Sequence, residues 1–327
     1  MMVNGCHRLV QSMKAGWSQQ LRFLVKLWTN LDIQKSMRSD TMYGALEAGG
    51  TKCVCAMFDN EGQIIERVSI PTETPDISVP KMIAFFKKYP EMKALGIGSF
   101  GPLGDNEELS SYGYITTTPK KGWNNYNFLG AFKAEFDVPM AWTTDVNAAA
   151  YGEMKQGAAK GLDNVIYLTV GTGVGGGVVV DGHVVSGYGH PETGHMLVRR
   201  HPEDQYEGKC PYHGDCLEGM AAGPAIEERW GQKGVELAED HPAWEMEAYY
   251  IAQGLYNYYT VLGCERFILG GGVMKQRQLF PLIRENFKKF NNGYLEIPEL
   301  ESFIVPPALE DDAGITGCYE LARELLS

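Results

Sequence analysis

The sequence lacks the features that mark proteins which span membranes or bind nucleic acids. No apolar run approaches the roughly 18 residues that a membrane-spanning helix needs. Basic residues are scarce, with 29 Lys and Arg against 41 Asp and Glu, and the net charge of -12 repels nucleic acids and anionic lipids. The seven cysteines are an odd number without regular spacing, which argues against a disulfide framework. We therefore expect a cytoplasmic protein that binds neither nucleic acid nor membrane.

Residues 1–41 differ in composition from the rest of the chain. They contain six basic and two acidic residues, a balance of +4, which leaves -16 for residues 42–327. The segment has no capped helix or turn signal, and its basic character fits a transit peptide only weakly. Met42, by contrast, opens a clear strand pattern. We predict that residues 1–41 are either a disordered N-terminal extension or an in-frame stretch upstream of a natural start at Met42.

Soft metal ligands are concentrated in one short part of the sequence. His195 stands fifteen positions before Cys210, and His213 and Cys216 follow Cys210 at steps of three. A structural zinc ion takes four nitrogen or sulfur ligands in a tetrahedron, and these four residues would form such a closed set. Cysteines can also be buried simply as small apolar side chains, and His201 is an alternative fourth ligand. We predict a structural zinc site at His195, Cys210, His213 and Cys216.

Two segments of the chain repeat one pattern of strand, glycine-rich turn and strand. The first turn is Glu-Ala-Gly-Gly-Thr-Lys at residues 47–52, and the second is Gly-Thr-Gly-Val-Gly-Gly-Gly at residues 171–177. Glycine lets backbone N–H groups approach a phosphate closely, although tight hairpins need glycine in any case. Neither turn has the order of a Walker loop, and both lead into strands rather than into the helix of a dinucleotide fingerprint. The pair predicts a nucleotide cleft between two related lobes.

Strand and helix patterns alternate after each hairpin, and 327 residues are enough for two domains. We expect helices at residues 79–88, 148–156, 245–261, 281–290 and 313–326. Further strands are expected at residues 94–98, 139–143, 178–180, 267–269 and 303–305. This alternation predicts an α/β fold with mixed sheets. The glycines at 270–272 follow a buried strand, where backbone can approach a ligand.

These motifs, in this order, resemble the ROK sugar kinases of the actin-like ATPase superfamily from Met42 to about Cys318. Besides the two glycine hairpins, the matching segments are residues 99–103, 122–124, 145–153, 192–195 and 270–272. The resemblance implies a two-lobed actin-like ATPase (ribonuclease H-like) fold with an interlobe cleft. It places residues 42–157 in a smaller lobe completed by a C-terminal helix at 313–327, and residues 158–312 in a larger lobe that carries the zinc loop. It also implies a homodimer.

Three residues depart from the most common ROK pattern. His213 stands where the metal loop usually has a cysteine, Thr144 stands where Asn usually precedes the catalytic Asp, and Glu47 stands where Asp is usual. These variants are similar to those of the bacterial ROK fructokinases, which implies phosphorylation of D-fructose by ATP at the 6-hydroxyl. The alternatives are a broader kinase of mannose, glucose or N-acetylated hexosamines, and a sugar-sensing ROK repressor. Residues 1–41 are too short for the helix-turn-helix domain of a repressor.

The resemblance also implies a role for each matching residue in the cleft. Asp145 would be the general base, although an Asp at the start of a helix also fits a capping role. The sugar would contact Gly101, Asn124, Asp145, Glu192, His195 and Glu218. ATP would lie against Gly49, Gly50, Thr51, Lys52, Gly171, Thr172 and Gly173, with its adenosine at Gly270, Gly271 and Gly272. Mg²⁺ would accompany the phosphates, with Glu47 as a carboxylate of its outer shell.

Overall fold

The structure is a computed structural model that describes residues 41–327. The expected N-terminal extension therefore lies, except for its last residue, outside the described residues. Within residues 41–327, no helix combines the length and the apolar character of a transmembrane segment.

The N-terminal half of the described chain forms a five-stranded mixed sheet. Its elements are β1 (Met42–Ala48), β2 (Lys52–Phe58), β3 (Ile64–Pro71), α1 (Pro75–Phe86), β4 (Met92–Ser99), β5 (Tyr114–Ile115), β6 (Tyr126–Asn127), α2 (Phe128–Lys133), β7 (Met140–Thr144) and α3 (Asp145–Gln156). The strand order is β3-β2-β1-β4-β7, whereas β5 and β6 pair separately. Strands β1 and β2 are buried along almost their whole length, whereas the edge strand β3 is largely exposed. Strands that are buried on both faces need apolar side chains on both, which is why the central strands are nearly continuous apolar runs.

The C-terminal half repeats the same sheet. Its elements are β8 (Val165–Val170), β9 (Val174–Val180), β10 (His183–Val184), α4 (Leu217–Ala221), α5 (Gly223–Trp230), α6 (Ala243–Leu262), β11 (Arg266–Gly270), α7 (Leu279–Asn291), α8 (Leu300–Phe303), β12 (Ile304–Val305) and α9 (Ala313–Glu324). The order β10-β9-β8-β11-β12 has the antiparallel hairpins and the two parallel neighbours of the first sheet in equivalent places. This repeat confirms the predicted α/β fold with two related mixed sheets.

Most predicted elements are present with ends that differ by up to four residues, and two predictions were wrong in detail. Phe303 ends the short helix α8 instead of opening a strand, so that β12 has only two residues. Strand β9 begins at Val174 and not at residue 178. Its glycines allow close packing of α3 on the sheet, because a Cβ at Gly177 would lie 2.0 Å from the carbonyl oxygen of Val146. Only Gly171 to Gly173 therefore form the turn itself.

Two helices lie between the sheets and connect them. Helix α9 packs on the first sheet through Ile315, Cys318 and Tyr319, and it also packs closely on α3. The contact between the helices depends on Gly317, where a Cβ would lie 1.7 Å from the carbonyl oxygen of Ala148. The end of the chain thus returns to the N-terminal sheet.

A buried carboxylate joins the two chain segments that run between the lobes. Glu153, near the end of α3, accepts hydrogen bonds from the backbone N–H of Ala158 at 2.6 Å, of Ala308 at 3.2 Å and of Leu309 at 2.8 Å. Ala158 lies between α3 and β8, and residues 308–309 lie between β12 and α9. Because one side chain ties both segments, it fixes the base of the cleft between the lobes.

Candidate active site

Asp145 lies at the point where β7 ends and α3 begins. Thr144 is the N-cap of this helix, since its Oγ1 accepts a hydrogen bond from the backbone N–H of Asn147 at 3.1 Å. Asp145 is therefore the first residue of the helix, and its Oδ1 accepts a hydrogen bond from the backbone N–H of Val146 at 2.9 Å. The capping role that the sequence allowed for Asp145 thus belongs to Thr144, which leaves Asp145 Oδ2 available for other chemistry.

The surroundings of Asp145 make it a stronger base than an ordinary aspartate. Burial raises the pKa of Asp145 to about 6, and the nearby charge of Glu192 adds to the increase. The Val146 N–H and the charge of His190 act in the opposite direction. A carboxylate whose pKa lies close to neutral is suited to accept a proton from a hydroxyl group.

A second acidic side chain lies close to Asp145. Glu47 lies near the end of β1, and burial together with the charge of Asp145 raises the pKa of Glu47 to about 7. A Cβ at Gly314, in the first turn of α9, would lie 2.5 Å from the carboxyl group of Glu47. The two acidic groups and the start of α9 therefore share one region at the base of the cleft.

Glu192 is a third acidic residue in this region, since its charge acts on Asp145. It precedes a short 3-10 helix, Thr193–His195. Its Oε1 lies 3.0 Å from Nε2 of His190. Nδ1 of His190 in turn lies 3.4 Å from Oδ2 of Asp105, which comes from the first lobe. Sequence reasoning missed His190 and Asp105, and the one local signal was the Gly-His-Pro-Glu run at residues 189–192.

The four predicted zinc ligands lie together. One ligand atom from each of His195, Cys210, His213 and Cys216 falls within 4.8 Å of the others. Nδ1 of His195 lies 3.7 Å from both sulfur atoms, and Nδ1 of His213 lies 3.7 Å from Sγ of Cys210. Tetrahedral zinc with usual bond lengths separates a nitrogen from a sulfur ligand by about 3.6 Å. The three nitrogen–sulfur distances match this separation, and the donor set is that of a structural zinc site.

The alternative ligand His201 lies outside this group. Its Nδ1 accepts a hydrogen bond from the backbone N–H of Glu203 at 3.2 Å, and its ring packs edge-on against Tyr249. The geometry thus favours His195 as the fourth ligand. Because His195 turns Nδ1 toward the sulfurs, its Nε2 faces away from them and is free for another contact.

Glu218 connects the ligand loop to the second glycine turn. It lies in the first turn of α4, two residues after Cys216. Its Oε2 accepts a hydrogen bond from the backbone N–H of Val174 at 3.0 Å. One carboxylate oxygen is thus engaged by the turn, and Oε1 remains for a ligand in the cleft.

The two glycine turns present their backbone in different ways. In the first turn the N–H of Gly49 donates to the carbonyl oxygen of Lys52 at 3.0 Å, while Gly50 and Thr51 are exposed. Lys120 also reaches this turn, where its Nζ donates to the carbonyl oxygen of Gly50. In the second turn the N–H of Gly171 donates to the carbonyl oxygen of Gly173 at 2.8 Å. The N–H of Gly223 donates to the carbonyl oxygen of Gly171 at 2.7 Å.

An apolar cavity of 370 Å³ adjoins the second turn. It is lined by Gly171, Thr172 and Gly272 together with the apolar side chains of Ile226 and Trp244. Gly270 and Gly271 do not line this cavity. Together with Gly272 they line a neighbouring cavity of 370 Å³. The first cavity has the size and apolar walls that suit a flat heterocycle.

Two predicted sugar contacts lie in the first lobe. A Cβ at Gly101 would lie 3.6 Å from Nε2 of His190. Gly101 is therefore close to the contact between His190 and Glu192. Asn124 is exposed and, within residues 41–327, its side chain has no hydrogen bond. Its neighbour Trp123 is buried and donates from Nε1 to the carbonyl oxygen of Glu73.

Comparison with known proteins gives matches along nearly the whole described chain. The sequence model of the ROK family matches residues 43–325. A fructokinase of Pediococcus pentosaceus is 49% identical over 87% of this chain and 99% of that protein. A fructokinase of Lactococcus lactis subsp. cremoris is 44% identical over 87% of this chain and 98% of that protein. The crystal structure of a ROK hexokinase from Thermus thermophilus has a TM-score of 0.74 at 25% identity and covers 88% of this chain and 99% of that one.

Proposed function

Because the chain belongs to the ROK family, we propose that it is a fructokinase that transfers the γ-phosphoryl group of ATP to the 6-hydroxyl of D-fructose. The observation that carries this proposal is the 49% identity to a fructokinase over 99% of that protein. The alternatives of a broader hexose kinase and a repressor lack support of this kind from the relatives described above. The products are fructose 6-phosphate and ADP.

Asp145 is the proposed general base. Its free oxygen accepts the proton of the 6-hydroxyl while the hydroxyl oxygen attacks the γ-phosphorus. The bond from that phosphorus to the oxygen bridging the β-phosphate breaks, and ADP leaves with the electron pair. Phosphoryl transfer depends mainly on position and charge, so the base assists a reaction that the cleft has already aligned.

The two glycine turns are the proposed phosphate sites. Gly49, Gly50, Thr51 and Lys52 would lie against the β- and γ-phosphates, and Gly171, Thr172 and Gly173 would lie on the opposite side. The apolar cavity beside Trp244 would take the adenine, with Gly270 to Gly272 at the adenosine. Mg²⁺, when bound with ATP, supplies charge neutralisation at the phosphates, and Glu47 is the proposed outer carboxylate.

The zinc ligands would hold His195 and Glu218 at the sugar side of the cleft. His195, Cys210, His213 and Cys216 have the donor set and spacing that the ion needs. When bound, zinc supplies a rigid link between the Thr193–His195 turn and the start of α4. Nε2 of His195, Oε1 of Glu218, Glu192 and Asn124 are then the proposed partners of the sugar hydroxyls. A homodimer is part of the same proposal.

Activity should fall as the pH drops through the pKa of Asp145. The carboxylate must be ionised to accept a proton, and its pKa is raised to about 6. The ionised fraction, and with it kcat/KM for fructose, should therefore fall about tenfold for each pH unit below this value. Glu47 has a pKa of about 7, so its titration overlaps with that of Asp145. The same profile should therefore be measured for the Glu47→Gln variant, which should keep the acid limb near pH 6. An acid limb at the ordinary pKa of an aspartate would contradict the assignment.

Sugar preference tests the proposed function. ADP release should be measured with fructose, mannose, glucose and N-acetylglucosamine under equal conditions. We expect kcat/KM for fructose to exceed that for glucose by at least about tenfold, the discrimination that a pocket with matched hydrogen bonds readily provides. Equal turnover of fructose and glucose would favour the broader hexose kinase.

A further inference from the structure

The loops of the two lobes touch at a buried ion pair beside the cleft. Asp105 follows Gly101 in the first lobe, and His190 precedes Glu192 in the second. His190 reaches Asp105 through Nδ1 at 3.4 Å and Glu192 through Nε2 at 3.0 Å. The side chains of His190 and Asp105 are each only 8% exposed. A polar pair so well buried is unusual for a contact between two surface loops.

A second contact joins the same loops. Nδ2 of Asn106 donates to the carbonyl oxygen of Gly187 at 3.3 Å. The two contacts lie on the side of the cleft where Gly101, Glu192 and Asp145 converge. The loops therefore meet next to the proposed position of the sugar and away from the apolar cavity proposed for adenine.

The imidazole of His190 acts on two acidic groups at once. Although burial lowers the pKa of His190, the neighbouring carboxylates of Asp105 and Glu192 raise the pKa to about 9. At neutral pH it is therefore a cation, fixed to one oxygen of Glu192. That bond determines which way Glu192 presents its remaining oxygen.

Asp105 keeps one hydrogen-bonding position open. Its Oδ1 is buried and has no partner within residues 41–327. A buried acceptor without a donor is unfavourable, because it has lost its hydrogen bonds to water without replacement. A sugar hydroxyl, which can both donate and accept, would satisfy this oxygen when it enters the cleft.

We propose that Asp105 and His190 form an interlobe latch over the sugar, in which His190 positions Glu192 and Asp105 Oδ1 accepts a hydrogen bond from a sugar hydroxyl. Asp105 is thus a substrate-binding residue, and His190 is a positioning residue that acts through Glu192. The latch closes the sugar side of the cleft and leaves the nucleotide side unchanged. This proposal rests on the proposed kinase function, since it names further residues of the same site.

Steady-state kinetics of His190→Gln, Asp105→Asn and the double variant test the latch. Each variant is assayed with the sugar that the wild type phosphorylates best, so that a wrong sugar assignment does not affect the result. We expect each single variant to raise KM for the sugar at least about tenfold and to leave KM for ATP within about twofold, because the removed contacts act on the sugar side of the cleft alone. His183→Gln, an exposed histidine in β10, is the matched control and should change neither constant.

The double variant distinguishes a latch from two independent effects. If the residues act as one unit, the double variant should raise KM for the sugar no more than the stronger single variant does. Multiplied effects, an unchanged KM for the sugar, or equal increases for sugar and ATP would each overturn the proposal. Should His190→Gln fail to fold, as judged by circular dichroism, the near-isosteric Asp105→Asn variant decides by the same comparison of the two KM values.

Discussion

Replacing Asp145 with Asn is expected to lower kcat by about 10²- to 10⁴-fold. The amide cannot accept the proton of the attacking hydroxyl, whereas its oxygen can still accept the hydrogen bond from Val146 N–H that the carboxylate accepts at 2.9 Å. Thr144 remains the N-cap of α3. The loss should therefore appear in kcat, with the melting temperature and the binding of ATP little changed.

The matched control for this variant is Asp181→Asn. Asp181 is exposed in the turn between β9 and β10, with a φ of 51° that Asn adopts readily. The control should keep wild-type kcat. If Asp145→Asn kept the wild-type kcat as well, Asp145 would not be the base, and the cleft would accelerate the reaction by position and charge alone.

Replacing Cys216 with Ser should remove the metal and weaken sugar binding. Cys216 is fully buried, and its Sγ lies 3.7 Å from Nδ1 of His195. Serine is a poor zinc ligand, so the remaining three residues no longer form the closed set of a structural site. We expect the bound zinc, measured by elemental analysis, to fall well below one ion per chain. KM for fructose should increase at least about tenfold, since His195 and Glu218 lose their fixed positions.

Cys264→Ser separates loss of metal from loss of a buried thiol. Cys264 is 3% exposed and packs in the core of the second lobe, outside the four-ligand group. This control should lower the melting temperature while it keeps zinc and the wild-type KM for fructose. Full zinc content in Cys216→Ser, or a zinc-free wild-type protein with full activity, would contradict the metal site.

The features that the sequence predicted well are local ones. Both glycine hairpins follow from short patterns of apolar residues and turn residues, and the start of α9 at Ala313 was placed correctly. The spacing of Cys210, His213 and Cys216 already limits how the chain can bring its sulfur and nitrogen atoms together. For the same reason His195 could be named but not separated from His201, because that choice depends on how the ring of His201 packs against Tyr249.

The features that the sequence missed depend on distant contacts. His190 and Asp105 meet only because the two lobes bring their loops together, and no local pattern marks them as partners. The early start of β9 depends on α3, whose backbone lies so close that the strand needs Gly177. The position of the helix cap, at Thr144 instead of Asp145, is a difference of one residue that apolar periodicity does not resolve.

The position of the new phosphate ester on the sugar tests the central claim most directly. The protein is incubated with ATP and fructose, and the product is examined by phosphorus and carbon NMR. We predict a single ester at carbon 6, formed together with one ADP for each sugar consumed. An ester at carbon 1, or ADP release without a phosphorylated sugar, would contradict the account.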